Sequence, residues 1–338
     1  MTRPCEVSVV IPTRNRALLL REALKSALDQ VDVGLEVIVA DDGSTDETPE
    51  VTAHVGDPRV RAVRTDRPQG MSATRNAAVS AARGEWVAFL DDDDLWAPTK
   101  LRRQLDAARV SGARWVFCDV FLVSPDSDVV RLFVSGDTTT MLHQLLAANV
   151  VQAGNSTVVV RRDLLQDIGG YDEDFNSPWD LWIRLAAAGA PAVVGEPLVA
   201  YRRHPGTFIA HNRTIALDEA RRLAAKHEHL SRAHGVAFDF DRLDRWLQAE
   251  HVRALRRAAF DELKAGRRFP AIRLQAGVVR RTRASADVRR LLRIVLGERA
   301  RGAFRHLAPL ERGQEPREPV PGWLAPYLSP SGGVAPRP

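Results

Sequence analysis

Four aspartates in a row, Asp91 to Asp94, lie inside the segment FLDDDDLW. Carboxylates packed this closely oppose one another's ionisation unless a cation or water separates them. A divalent ion resolves the conflict, and hard oxygen ligands suit Mg2+ or Mn2+, which can bridge the two phosphates of a diphosphate and neutralise it as a leaving group. The plainer reading is a solvated acidic turn, with Asp94 as the amino-terminal cap of a helix near residue 98. A second acidic pair, Asp41 and Asp42, opens the segment DDGSTDET. Gly43 permits a tight turn there, and Ser44, Thr45 or Asp46 can cap the next helix. That leaves the aspartate pair to accept the imide N–H of uracil or thymine, or a ribose hydroxyl.

The elements that carry these groups are legible from periodicity. The runs VSVVI (7–11), LEVIVA (35–40), RVRAVR (59–64), EWVAFL (85–90) and RWVFCDVFLV (114–123) read as strands. Between them, ALLLREALKSAL (17–28), ETPEVTAHV (47–55), SATRNAAVSAA (72–82) and PTKLRRQLDAARVS (98–111) place apolar residues at helical spacing. The alternation predicts an α/β fold of parallel strands joined by right-handed crossovers, and such sheets bind ligands beyond the carboxyl ends of their strands. Polar residues gather there: Thr13, Arg14 and Asn15 after the first strand, Asp41 and Asp42 after the second, Asp91 to Asp94 after the fourth. Further strands are expected at 156–162 and near 191–204, with a turn at 168–175 and a helix at 179–189 between them.

PTRNRA (12–17), DDGS, and GMSATRNAAVSAARGEWVAFLDDDDLW (70–96), with about 50 residues from DDGS to LDDDD, together resemble the nucleotide-binding half of family 2 glycosyltransferases of the GT-A fold. The resemblance covers residues 5–210. It implies a Rossmann-like GT-A domain with a mostly parallel central sheet, a nucleotide-diphosphate sugar donor carrying UDP or dTDP, a Mg2+ or Mn2+ cofactor, and inversion at the anomeric carbon. By position, Pro12, Thr13 and Arg14 would line the nucleotide pocket and Asp42 would read the base. Asp91 and Asp93 match the outer carboxylates of the family's Asp-x-Asp motif as metal ligands, with Asp92 between them in the donor site. Arg75 and Asn76 match a recurring Arg-Asn pair, which either touches the ligand or hydrogen-bonds beneath the donor loop.

An inverting transfer needs a base for the acceptor hydroxyl proton. Family members commonly carry an acidic pair before an aromatic residue at the start of the helix matching 179–189, but here the sequence reads NSPWDLWIRLA, with Pro178 where an aspartate is usual. Asp180 is the base candidate, its competing role being a first-turn acid favoured by the helix dipole; in that case Asp172 or Asp174 of GGYDEDF takes over, or the protein is an inactive relative. YRRHPGT (201–207) resembles the family's Arg-x-His element, which lets His204 complete the metal shell as a third ligand or hydrogen-bond the diphosphate, and lets Arg202 or Arg203 offset its charge. Trp179 and Trp182 can stack on an acceptor sugar, although at their spacing one belongs to the core.

Residues 1–212 are therefore expected to form the GT-A domain, with 5–123 as donor half and 124–212 as acceptor half. Residues 213–308 form a helical basic extension, followed by a Pro- and Gly-rich disordered tail at 309–338. The stretch 241–305 carries 18 Arg and Lys against 7 Asp and Glu, so the net charge of +5 conceals an acidic remainder. No aromatic-rich module accompanies the basic stretch, which argues against nucleic acid. It reads as helices packed on the catalytic domain or on a homodimer partner, or as a peripheral contact with anionic membrane suited to a lipid-linked acceptor. A glycan or small-molecule acceptor is equally compatible. No run reaches the roughly 18 uninterrupted apolar residues of a membrane helix, and the amino terminus enters a strand without a basic leader, so a cytoplasmic protein is expected, peripheral at the inner face of the membrane if the basic helices bind lipid. Cys5 and Cys118 fit no metal-ligand spacing. A nucleotidyltransferase is disfavoured because PTRNRA has no glycine for a phosphate loop, and Pro178 keeps a non-catalytic sugar-nucleotide binding module in view.

Overall fold

The computed structural model describes residues 4–123, 129–132, 137–151, 154–202, 213–296 and 320–328. These fall into two compact units, the first comprising 4–202, 227–238 and 320–328, the second 213–226 and 239–296. The first unit is built on a nine-stranded sheet. Strands β1 (Val7–Thr13), β2 (Leu35–Asp41), β3 (Val60–Arg64) and β4 (Trp86–Phe89) pair in parallel in the order β3-β2-β1-β4. Helices α1 (Ala17–Leu28), α2 (Thr48–His54) and α3 (Met71–Ala81) connect them. β1 and β2 are buried along their whole length, as expected of strands covered on both faces.

Beyond β4 the sheet becomes mixed, in keeping with the expected Rossmann-like domain whose sheet is mostly and not wholly parallel. β5 (Leu95–Trp96) leads into α4 (Lys100–Ser111), then β6 (Trp115–Val123) and β7 (Val129–Leu132). After α5 (Met141–Ala147) come β8 (Val159–Arg161), α6 (Arg162–Asp167), α7 (Trp179–Ala188) and β9 (Ala192–Arg202). β8 runs antiparallel between β4 and β6, while β9 is parallel to β6 and antiparallel to β5. The two-residue β5 has no periodic signature, and the Asp94 turn that creates it reads in sequence only as acidic.

α9 (Glu228–His234) belongs to this first unit. It is held there by His227 on Asp180, by an edge-on ring contact of His143 with His234, and by Phe238 against Trp179. The second unit contains α8 (Arg213–Lys226), α10 (Phe240–Lys264), α11 (Arg268–Thr282) and α12 (Ser285–Leu296), packed in sequence-neighbour pairs and by α8 on α10. Buried Asp287 ties it together, accepting from both Arg256 and Thr282. Within the tail expected to be disordered, residues 320–328 are ordered, because Leu324 is fully buried against the sheet. Among the described residues no helix is long and apolar enough to cross a membrane.

Two positions give sharp tests of this packing. Gly84 lies against β1, where an added Cβ would meet Ser8 N at 2.5 Å and Val7 C at 2.7 Å, both backbone. Gly84→Ala is expected to cost about 1–3 kcal/mol in denaturant unfolding, the usual range for overpacking. Lys100 is fully buried, with its ammonium 2.7 Å from Gln104 Oε1 and 4.0 Å from the Trp96 ring centroid. Burial pulls its pKa down to about 8. Unfolding restores a value near about 10.4, so between these limits the unfolded chain binds more protons and stability rises with pH. Wild type should therefore gain melting temperature relative to Lys100→Met as pH is raised from 8 to 10; a constant difference would refute the shift.

A candidate active site at the acidic strand end

β4 delivers Asp91 to Asp94 to the carboxyl edge of the sheet, where the chain folds back in a tight turn closed by Asp94 N on Asp91 O at 3.0 Å. Each carboxylate meets a different environment. Asp91 accepts from Arg75 Nη2 at 2.9 Å. Asp92 is buried and accepts from Thr13 Oγ1 at 2.7 Å and Arg16 Nη1 at 2.8 Å. The same Arg16 nitrogen lies 2.8 Å from Asp93 Oδ2. Asp94 is fully buried, taking Ser156 Oγ at 2.5 Å and the Arg202 backbone N–H at 3.2 Å. Burial, aided by the neighbouring Asp93, pushes the Asp92 pKa up to about 6. Burial also raises Asp94 well above the carboxylate range, with Asp93 and Asp91 adding to it.

Charge crowding is thus relieved partly from within, by the Arg16 and Arg75 guanidiniums on Asp91, Asp92 and Asp93 and by the two donors that Asp94 accepts. Asp91 keeps 27% and Asp93 15% side-chain exposure, against 5% for Asp92. A guanidinium already seated between two of these carboxylates shows that the field there favours a cation. The oxygen-only donor set fits Mg2+ or Mn2+. Among the described residues no three His, Cys, Asp or Glu side chains form a ready metal cage. An ion held by Asp91 and Asp93 would take its remaining ligands from diphosphate oxygens and water, as Mg2+ commonly does.

The other expected site residues divide into those brought here and those used elsewhere. Pro12 and Thr13 end β1 beside Asp92, while Arg14 is exposed at the same edge. Asp42 is buried, and its carboxylate already accepts from Gln69 N at 2.7 Å, Gly70 N at 3.1 Å and Thr74 Oγ1 at 3.0 Å, so it fixes the loop entering α3. Among the described residues, Oδ2 of buried Asp41 has no hydrogen-bond partner and lies 3.5 Å from Arg64 Nε. Arg75 is buried, with its guanidinium 5.5 Å from the Tyr171 ring centroid. Asn76 pins the same loop by donating to Tyr171 O and accepting from Tyr171 N, each at 2.8 Å. The Arg-Asn pair therefore positions Asp91 and the Tyr171 loop together. Arg202 reaches Asp93 O and Glu22. His204 and Arg203 lie outside the described residues.

Asp180 is not placed as a base should be. It is 2% exposed, with one oxygen 2.8 Å from His227 Nε2 and the other 2.7 Å from Arg184 Nε. Pro178 precedes the first turn of α7 with φ −73°, a sound helix start. Trp182 is wholly buried and Trp179 5% exposed, donating to Leu145 O, so both belong to the core instead of an acceptor face. Asp174 by contrast is exposed and Asp172 half-buried, on the loop that Asn76 anchors. Sequence reasoning missed Arg16 and Ser156. Arg16 had a signal, a second basic residue in PTRNRA; Ser156, whose hydroxyl also accepts the Asp91 N–H at 3.0 Å, lies 62 residues from Asp94 with no local pattern.

Comparison with known proteins identifies the family and the fold. The sequence model described as Glycosyl transferase family 2 matches residues 8–169. The succinoglycan biosynthesis protein ExoO of Rhizobium meliloti is 32% identical over 75% of this chain and 74% of its own length. The UDP-Glc:alpha-D-GlcNAc-diphosphoundecaprenol beta-1,3-glucosyltransferase WfaP of Escherichia coli is 26% identical over 61% of this chain and 80% of its own. Among solved structures, S. aureus TarS 1–349 in complex with UDP-GlcNAc superposes with a TM-score of 0.53 at 16% identity, over 82% of this chain and 81% of that one. That last likeness is one of fold.

Proposed function

Because the chain belongs to glycosyl transferase family 2 and is an enzyme that draws on a nucleotide sugar, we propose that it is an inverting, metal-dependent transferase delivering a sugar from a UDP-sugar to a hydroxyl of a lipid-linked glycan. The observation that carries the reading is the acidic strand end, where the Asp91 and Asp93 carboxyl groups retain exposure beside Arg75 and Arg16. Asp91 and Asp93 would hold the ion. Bound there, Mg2+ or Mn2+ supplies charge neutralisation for the departing diphosphate. Asp92, which is buried and also accepts from Thr13, is left to position Arg16 and Thr13, and Arg75 orients Asp91. UDP is favoured over dTDP because WfaP is named for UDP-Glc and TarS was crystallised with UDP-GlcNAc.

The acceptor proton falls to Asp172 or Asp174, because both oxygens of Asp180 are engaged. A lipid-linked acceptor is supported by the diphosphoundecaprenol substrate in WfaP's name. It is supported also by an apolar stripe on α12, Val288, Leu292 and Val295, each 37–44% exposed, which suits peripheral contact with an anionic membrane face. The test is a screen of nucleotide sugars for nucleoside diphosphate release with and without Mn2+. One UDP-sugar should give release that EDTA abolishes and Mn2+ restores. Release indifferent to chelation would remove the metal, and release from no nucleotide sugar would remove the reading itself.

A further inference from the structure

The tail at 309–338 has the composition of a disordered segment, yet PGWLAPYL (321–328) sets Trp323, Leu324, Tyr327 and Leu328 on one short turn. The turn is closed by Leu324 N on Pro321 O at 2.9 Å and Tyr327 N on Leu324 O at 3.0 Å. A single turn of this kind does not hold itself in water. Its order comes from what it buries: Leu324 is 0% exposed among Leu95, Phe121, Val123, Val129 and Ala200, with Trp323, Tyr327 and Leu328 packed around it.

Two of the partners of Leu324, Leu95 and Ala200, lie next to the acidic turn. Leu95 follows Asp94 directly and pairs in register with Ala200 of β9. Two residues beyond Ala200, Arg202 donates its backbone N–H to Asp94 Oδ1 and its Nε–H to Asp93 O. β5 is only two residues long: Trp96 is held by Val199, by Ser26 Oγ and by Ser156 O, whereas Leu95 has its pairing with Ala200 and the apolar cluster around Leu324. Tyr327 secures the other side, its ring centroid 6.0 Å from Lys25 Nζ on α1, the helix that also supplies Glu22 to Arg202.

We propose that residues 320–328 are a built-in clip that fixes the geometry of the Asp93–Asp94 turn, with Leu324 and Tyr327 as positioning residues for the donor site. The clip acts from more than 220 residues away in sequence, by covering Leu95, which follows Asp94, and Ala200, two residues before Arg202. Its link to donor binding rests on the transferase reading above; its link to the turn does not.

The full-length chain carrying Leu324→Glu, Leu324→Met or Tyr327→Phe tests both. Amide hydrogen exchange at Leu95, Ala97 and Arg202 should quicken at least tenfold in Leu324→Glu, while exchange in β1, β2 and β3 stays at the wild-type rate. UDP affinity measured by calorimetry with Mn2+ should fall at least tenfold. Leu324→Met and Tyr327→Phe, which keeps the ring beside Lys25, should behave as wild type, and a synthetic peptide of residues 319–330 should restore protection to Leu324→Glu. If Leu324→Glu does not fold, Leu324→Ala gives the same local pattern at smaller amplitude. Unchanged exchange around Leu95, or a loss spread evenly over every strand, overturns the proposal. Lost protection with UDP bound in neither wild type nor variant overturns the donor reading instead and leaves the clip standing.

Discussion

Asp93→Ala is expected to fold as wild type and to release nucleoside diphosphate at least about 10^3-fold more slowly. Charge stabilisation by a catalytic cation is worth several kcal/mol, and each 1.36 kcal/mol is a factor of ten in rate. The fold should survive because Asp93 is partly exposed and because Arg16, once released from it, keeps its 2.8 Å bond to Asp92. Asp94→Ala separates the two kinds of loss: that residue is fully buried and holds Ser156 and the Arg202 backbone, so its removal should lower the melting temperature. Mn2+ binding by calorimetry in the presence of UDP should weaken with Asp93→Ala in step with the rate. An Asp93→Ala enzyme with wild-type turnover would take the ion away from this corner and leave the quartet as a folded turn.

That turn also shows how far the sequence could be read. The helix at 17–28 and the strands from Val7 and Leu35 agree with their periodicity to within two residues, because each buries a continuous apolar face and is bounded by polar or glycine punctuation. β8 and β9 were visible as strands, but their direction was not, since hydrophobic runs do not encode orientation. The acidic quartet was legible as a candidate site, and its crowding as the problem to be solved. Which cation solves it in the chain alone was not legible, because Arg16 and Ser156 reach Asp92, Asp93 and Asp94 across 62 to 77 residues of sequence. The ordered turn at 320–328 was hidden for the opposite reason: its composition is that of a loop, and only the hydrophobic socket around Leu324 folds it.

The sharpest test of the catalytic assignment lies at Asp180. Its carboxylate is shared between Arg184 and His227, and removing one member of a buried ion pair leaves the other charge uncompensated, at a cost of about 3–5 kcal/mol. Asp180→Ala is therefore expected to lower the denaturation midpoint sharply. It should also loosen the 227–238 segment, which His227, His234 and Phe238 hold to the first unit. Turnover per folded molecule should stay within tenfold of wild type, because no proton passes through a carboxylate 2% exposed and doubly engaged. Asp172→Asn and Asp174→Asn should show the reverse, with unchanged unfolding and, in the one that carries the base, a rate lower by roughly 10^2–10^4, the usual worth of general base catalysis. Asp180→Asn supplies the decisive comparison, since it keeps the side-chain volume and one acceptor oxygen. Were it to melt like wild type while losing a hundredfold or more in turnover, Asp180 would regain the base role and the 172–174 loop would be a scaffold.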